Sequence, residues 1–334
     1  NLLINGSFQV AQRGASFDST TTPANNDNAY LLDGWVLISE GNDAVDVSQE
    51  STTVPTGSKY AMHFDAETTD KQFGIFQAVD SVTSAGIIGG TASLSFQART
   101  TGTEIGTVRA AILCWTGTAD ALTDPVGTWN QDGSNPVWNS NYTIENTPSD
   151  LDLTASFQKF TIENVLINTA SCVNVGVVIW VDDGTITVAD NLYISQVKLE
   201  QGARATAWQE KPRWEELHDA QFFFERIEPT ATNGYIMNGI ITGSTGNAFW
   251  GVMTYERKRA APSITSSAYA NFKVRAANLT IDPSGSLGYI VTDNSRALVN
   301  FFIAAGASPG QAALLYRDNT DTAYIDISAE VGAN

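Results

Sequence analysis

Short apolar runs separated by turn residues, with almost no helical periodicity between them, set the class of fold open to this chain. The runs include "YAMHFDA", "QFGIFQAV", "ASLSFQART", "GTVRAAILCW", "QKFTIENVLI", "CVNVGVVIWV" and "LYISQVKLE". Several alternate apolar and polar residues, so that Leu94 and Phe96 share one face, as strands with one buried side must. Val175 to Val181 is apolar on both faces and belongs in the middle of a sheet. Such a chain reads as all-β, with an N-terminal jelly-roll β-sandwich.

Its 334 residues suggest two domains. One stretch breaks the β pattern: in "EKPRWEELHDAQ", Pro212 suits a first helical turn and Glu215 and Glu216 favour the positive end of the dipole. Trp214 and Leu217 would share the packed face. Beyond it, Gly- and Ala-rich strands resume. The expected organisation is a jelly roll over 1–210, a helical connector over 211–226, and a smaller C-terminal β domain over 227–334 that serves oligomerisation. At the N-terminus, Asn5-Gly6 is a turn signal between the run Leu2 to Ile4 and the alternating Phe8 and Val10.

Thirty-six acidic residues against 18 basic give a net charge of -18. That balance excludes a nucleic-acid partner, which needs clustered Lys and Arg, and disfavours anionic membranes. No apolar run approaches the ~20 residues of a membrane span, so membrane insertion is not expected. The two cysteines, Cys114 and Cys172, each sit in an apolar run. The burial tendency of cysteine favours two buried free thiols over a disulfide between neighbouring strands.

Chemistry is sparse. The two histidines, His63 and His218, lie in unrelated contexts, and no nucleophile elbow, metalloprotease helix or phosphate-binding loop occurs. Acidic pairs such as Asp182 and Glu145 exist, but sequence does not fix the ~5–10 Å separation of glycosidase carboxylates. The expectation is a non-enzyme. The long polar stretch between Cys114 and Phe157 carries Trp129, Trp138 and Tyr142 among Asn, Asp, Gly and Pro. Exposed, those rings could stack on sugar faces while the polar residues hold hydroxyls, which makes them the candidate glycan contacts. The blander alternative is that they fold back and pin the loop.

Two segments together, "NLLINGSFQVAQRG" followed by "YLLDGW" and "LYISQVKLEQGARATAWQEKPRWEEL", resemble the opening and closing segments of carbohydrate-binding-module-like jelly rolls found in tailed-bacteriophage virion proteins. The closing match runs through Glu200, Gly202, Ala205, Thr206 and Trp208 to Glu215 and Glu216. "FWGVMTYERKRAAPSI" and "AYIDISAEV" resemble segments of phage fibre tips.

The resemblance implies that the first strand closes the sandwich against Ile194 to Leu199, with Phe8, Val10 and Trp35 in the core. It implies a structural protein on the virion exterior, assembled in the host cytoplasm: a capsid decoration or short tail appendage (no fibre shaft or N-terminal adaptor is visible) that contacts other capsid or tail proteins and host-surface polysaccharide. The rival reading is a secreted carbohydrate-binding module or the binding part of a glycoside-degrading enzyme.

No cofactor is expected. Jelly rolls of this kind often hold a structural calcium, yet Gln9 and Ile194-Ser195-Gln196 stand where the resemblance places its carboxylates. Asp182, Asp183 and Asp190 could form an alternative acidic cluster, against the commoner reading of a solvated loop. Finally, the aromatics Phe222, Phe223, Phe224 and Trp250 are expected at the interface of a homotrimer.

Overall fold

The computed structural model describes every residue except 103, 131–132, 183, 244–245, 305, 319–321 and 333–334. The protein is all-β, with two α-helices among the described residues, and divides into two compact units: residues 1–220 with 331–334, and residues 221–330.

In the first unit the strands in chain order are β1 (Ser16–Phe17), β2 (Val36–Ser39), β3 (Val45–Glu50), β4 (Ala61–Ala66), β5 (Phe73–Ala78), β6 (Thr91–Thr101), β7 (Thr107–Trp115), β8 (Val126–Thr128), β9 (Val137–Trp138), β10 (Tyr142–Ile144), β11 (Leu151–Asp152), β12 (Gln158–Leu166), β13 (Asn174–Trp180) and β14 (Asn191–Gln201). One antiparallel sheet runs β1-β3-β4-β14-β6-β12 and the other β10-β7-β13-β5-β2. Their inner faces share one core, with Leu94 and Phe96 from the first sheet and Val175, Val177 and Ile179 from the second. β13 is central in its sheet, as its two-sided apolar run requires. A short helix, α1 (Ser81–Ser84), is capped by the Asp80 carboxylate on the amides of Val82 and Thr83.

The N-terminal segment lies along β14, but as a coil rather than as a strand. Leu2 donates its amide to the Leu199 carbonyl at 2.8 Å, and Val197 donates to the Gly6 carbonyl at 2.8 Å. The second contact uses an irregularity in β14 between Ser195 and Lys198, where Gln196 has φ 54. In the Asn5-Gly6 turn the left-handed residue is Asn5, at φ 52. Gly6 is required for another reason: a Cβ there would stand 2.1 Å from the Val197 carbonyl oxygen. Asn5 is fully buried; its side-chain amide donates to the carbonyls of Val10 and Asp33, and its own carbonyl accepts from the Trp35 indole at 3.0 Å. Phe8, Val10 and Trp35 are all in the core.

The cysteines are not free. Cys114, at the core end of β7, forms a disulfide with Cys172 just before β13, with Cα atoms 5.5 Å apart. The expected pair of thiols is overturned because Val173 donates its amide to the Trp115 carbonyl at 2.8 Å, laying the approach to β13 beside the end of β7.

Helix α2 (Arg213–Gln221) forms where expected but packs on a different face. Trp214 is 72% exposed, while Glu216 and Ala220 are the buried positions. Glu216 is drawn inward as the acceptor of the Asn5 amide, and this burial raises its carboxyl above the ordinary range.

The second unit contains β15 (Phe224–Ile227), β16 (Tyr235–Thr242), β17 (Ala248–Thr254), β18 (Ser263–Ser266), β19 (Phe272–Ala276), β20 (Leu279–Ile281), β21 (Gly288–Asp293), β22 (Arg296–Phe302), β23 (Ala312–Arg317) and β24 (Ile325–Ser328). A seven-stranded antiparallel sheet runs β20-β19-β23-β16-β17-β22-β21, beside a three-stranded sheet β15-β24-β18. Phe249 and Phe301 stack in its core with centroids 5.0 Å apart. Arg226 grips the Asp326 carboxylate with two bonds of 2.7 Å, joining β15 to β24 across their register pair.

Candidate functional site on the outer face of the six-stranded sheet

Strand alternation fixes what this sheet presents outward. Val45 and Val47 of β3, Met62 and Phe64 of β4, Leu192 and Ile194 of β14, and Phe96 and Ala98 of β6 point into the core. The residues between them therefore point out. The register aligns them into two rows across the sheet: Ser48, His63, Tyr193 and Arg99, and beside it Asp46, Asp65, Asn191 and Thr101.

The first row is a stack of planar groups. The rings of His63 and Tyr193 lie 4.5 Å apart and 13° from parallel. The Arg99 guanidinium sits 5.2 Å from the Tyr193 centroid on one side and 6.0 Å from that of Phe157 on the other. Phe157 also meets Tyr193 edge-on at 6.5 Å. Hydrogen bonds set the imidazole's tautomer. Asn191 donates its amide nitrogen to the Ala189 carbonyl at 2.6 Å, which leaves its Oδ1 to accept from His63 Nε2. His63 Nδ1 then accepts the Ser48 hydroxyl at 3.2 Å.

Two polar atoms on this face are shielded and have no hydrogen-bond partner among the described residues, Arg99 Nε and Asp65 Oδ1. One is a donor and the other an acceptor, one on each row. Asp46 and Asp65 are direct cross-strand partners, an arrangement that costs stability when both are charged. Burial first, and then the charges of Glu67, Asp18, Asp43 and Asp65, push the Asp46 carboxyl up to about 6. The face therefore offers carboxylate acceptors, guanidinium and phenol donors, and flat apolar edges on one rigid surface.

The opposite sheet turns its outer face to the long polar stretch. Tyr142 is 9% exposed. Its ring packs 4.8 Å from Trp115 and 6.2 Å from Phe76, and its hydroxyl donates to the Thr123 carbonyl at 2.5 Å. Trp138 meets Trp180 edge-on at 5.5 Å. Phe76 of β5 and Trp180 of β13 stand on that outer side, and this stretch folds back over them. Tyr142 thus presents no ring face to solvent, and Trp138 presents only part of one. Trp129 is half-buried, with no ring or hydrogen-bond partner among the described residues.

Asp182 and Asp190 are each engaged by different partners. Asp182 is buried, pairs with Arg109 at 2.6 Å and accepts the Thr107 hydroxyl at 2.9 Å. Arg109 bonds Asp150 as well, at 2.6 Å, which ties the polar stretch to β7. Asp190 is buried and accepts the amide and hydroxyl of Thr187 at 2.9 and 2.8 Å. Asp183 lies outside the described residues, among which no cluster of three metal-ligating side chains occurs. Gln9 donates to the Lys211 carbonyl at 3.1 Å, and Gln196 to the Thr56 carbonyl at 3.0 Å. Of the aromatics expected at an oligomer contact, Phe224 is buried and Phe223 half-buried, whereas Phe222 and Trp250 are exposed.

No protein-family model matches the chain, and no curated protein matches it. Solved structures to which part of this chain is similar include carbohydrate-binding modules and a phage tailspike domain. The enzymatically active domain of tailspike protein 4 of bacteriophage CBA120 is 15% identical, with a TM-score of 0.37; the match covers 60% of this chain and 21% of the tailspike chain. TmCBM61, solved with β-1,4-galactotriose, is 14% identical with a TM-score of 0.34, over 60% of this chain and 99% of the module. A sugar-binding protein assigned in Bacteroides thetaiotaomicron is 16% identical with a TM-score of 0.35, over 60% of this chain and all of that one.

Proposed function

We propose that this chain is a non-enzymatic polysaccharide-binding protein whose sugar contact is the outer face of the six-stranded sheet. One observation carries the reading: the His63–Tyr193–Arg99–Phe157 stack stands beside the Asp46–Asp65–Asn191 row. A sugar presents apolar C–H surface and hydroxyls that both donate and accept, and this face answers each. It is a face, not an enclosed cavity, which suits a chain of residues lying across strands. His63, Arg99 and Tyr193 sit on strands, and Phe157 directly precedes β12, so most of the contact is preorganised.

The test is affinity measurement of the full chain against a panel of bacterial surface and plant-wall polysaccharides. Arg99→Ala with Tyr193→Ala should weaken binding at least about tenfold, as expected for losing a charged hydrogen bond and a stacked ring. An unchanged affinity in that variant rejects the site.

The finer placement on the exterior of a tailed-phage virion rests on the order of three segments along the chain: "NLLINGSFQVAQRG", "LYISQVKLEQGARATAWQEKPRWEEL" and "FWGVMTYERKRAAPSI". Peptides of this chain in purified particles support it. Their absence there, with the chain found in cell-free supernatant, supports a secreted binding module.

A further inference from the structure

The seven-stranded sheet of the second unit has apolar side chains at the centre of both faces. One face is core, built on Ile241, Phe249, Met253, Val299 and Phe301. The other should be polar in a sheet that meets water on one side. Instead its centre is made of Ile240, Trp250, Val252, Leu298, Ile290 and Phe302. Five of these six are between 40% and 65% exposed. The register joins them directly: Ile240 lies opposite Trp250, and Val252 opposite Leu298, which lies opposite Ile290. Contiguous apolar surface of this kind marks an interaction site.

We infer that this face pairs with the same face of a second copy of the chain. Charge and chemistry select that occupant. The chain carries a net charge of -18, so an anionic membrane surface would repel it. A glycan needs several hydrogen-bonding groups, and at the centre of this face Asn238 and Asn300 are what the register places beside one aromatic ring, Trp250. Two copies of so acidic a chain can meet closely only where no carboxylate must be desolvated, and the centre of this face has none.

The charges of this face stand at its borders, off that centre. Arg275 is exposed on β19, and on the opposite border Asp293 of β21 lies across from Arg296 and accepts from the Ser295 amide and hydroxyl. A two-fold axis running along the strands in the plane of contact lays the β19 border of one copy against the β21 border of the other. Self-pairing also follows from the patch being single. Among the described residues, the other exposed large apolar side chains of this unit, apart from Tyr235 at the margin of the face, are Phe222, which packs on Phe223 between α2 and β15, Tyr269 and Leu279. A head-to-tail ring would need a second apolar surface to receive this one.

The experiment is light scattering on the full chain at micromolar concentration, beside Trp250→Glu with Val252→Lys and, as a milder pair that keeps β-branched side chains, Ile240→Thr with Ile290→Thr. The wild type should weigh twice the 35.8 kDa of one chain. Both variants should dissociate at concentrations at least about tenfold higher, with unchanged circular dichroism. A wild type of single-chain mass, a three-chain mass, pairing that survives in the well-folded milder variant, or Trp250-dependent binding of polysaccharide in place of pairing would each overturn the inference.

Discussion

Tyr193 of β14 lies flat against His63 of β4, with ring centroids 4.5 Å apart and planes 13° from parallel. The pair is held from outside the stack, by Asn191 and Ser48 on the imidazole and by Arg99 on the far side of the phenol. Tyr193→Phe keeps the ring and removes the hydroxyl, whereas Tyr193→Ala removes both. If the ring packs on sugar C–H surface, Phe should retain most of the affinity and Ala should not. Isothermal titration separates them, and the melting temperatures should change little, since a half-exposed stacked ring contributes about 0.5–1.5 kcal/mol.

A different outcome is expected for the aromatics of the polar stretch. Tyr142→Ala removes a ring packed on Trp115 and Phe76 and a hydroxyl bonded to the Thr123 carbonyl. It should cost about 3 kcal/mol or more in denaturant unfolding. Trp129→Ala, by contrast, should fall within about 0.5 kcal/mol of the wild type. Neither should alter polysaccharide affinity except through lost folded protein.

The pH response is set in part by Asp46, whose folded carboxyl is held up to about 6 against an ordinary 3.8. Between those values the folded chain keeps a proton that the unfolded chain has released. This group's contribution to stability is therefore greatest at low pH, falls as pH rises through that window, and is level above it. Asp46→Asn should raise the melting temperature at about pH 7.5 and leave it unchanged at about pH 4. The gain should be about 1 kcal/mol, because much of the side chain meets water and the shift is screened. Thermal scans across the range give the comparison, and a loss of stability near neutrality would show that Asp46 makes favourable interactions in its charged form.

The Cys114–Cys172 bridge spans 58 positions of sequence. Closing a loop of that size restricts the unfolded chain, so Cys114→Ser with Cys172→Ser should cost ~2–4 kcal/mol. The buried Cys114 site adds a polar hydroxyl to the core, so Cys114→Ala with Cys172→Ser is the cleaner version. Urea unfolding with and without reductant tests this. The wild type under reductant should approach the variant, and the variant should not respond to reductant.

The sequence exposed the strands well and the surfaces poorly. The alternation in "ASLSFQART" and the two-sided apolar run at Val175 give their burial directly, because periodicity is local. The outward phase of those same strands holds His63, Asp65, Arg99 and Tyr193. Each was visible as an off-phase polar or aromatic residue in "YAMHFDA", "ASLSFQART" or "LYISQVKLE". Nothing local told that β4, β14 and β6 are neighbours, and only that pairing assembles the row. Composition pointed to the polar stretch instead. Its rings were legible, but their direction depended on the exposed back of β13 and β5, which needs a cover. The cysteine pair failed for the same reason: the strands were recognised, and their adjacency was not.

The last expectation concerns where the first unit ends. Ending it at residue 210 removes α2, and with it Glu216, the buried acceptor of the Asn5 amide. Asn5 organises the turn that carries Phe8 and receives the Trp35 indole, so the loss reaches the core. A buried amide left without its partner costs about 1–3 kcal/mol. A fragment of residues 1–220 should therefore fold and melt cooperatively, and a fragment of residues 1–210 should be less stable by that amount or more. In the full chain, Glu216→Gln keeps an acceptor for Asn5 and should be mild, whereas Glu216→Ala should reproduce most of the truncation's cost. Denaturant unfolding of the four proteins supplies the numbers. Equal stability of the two fragments would show that α2 only trails the sandwich.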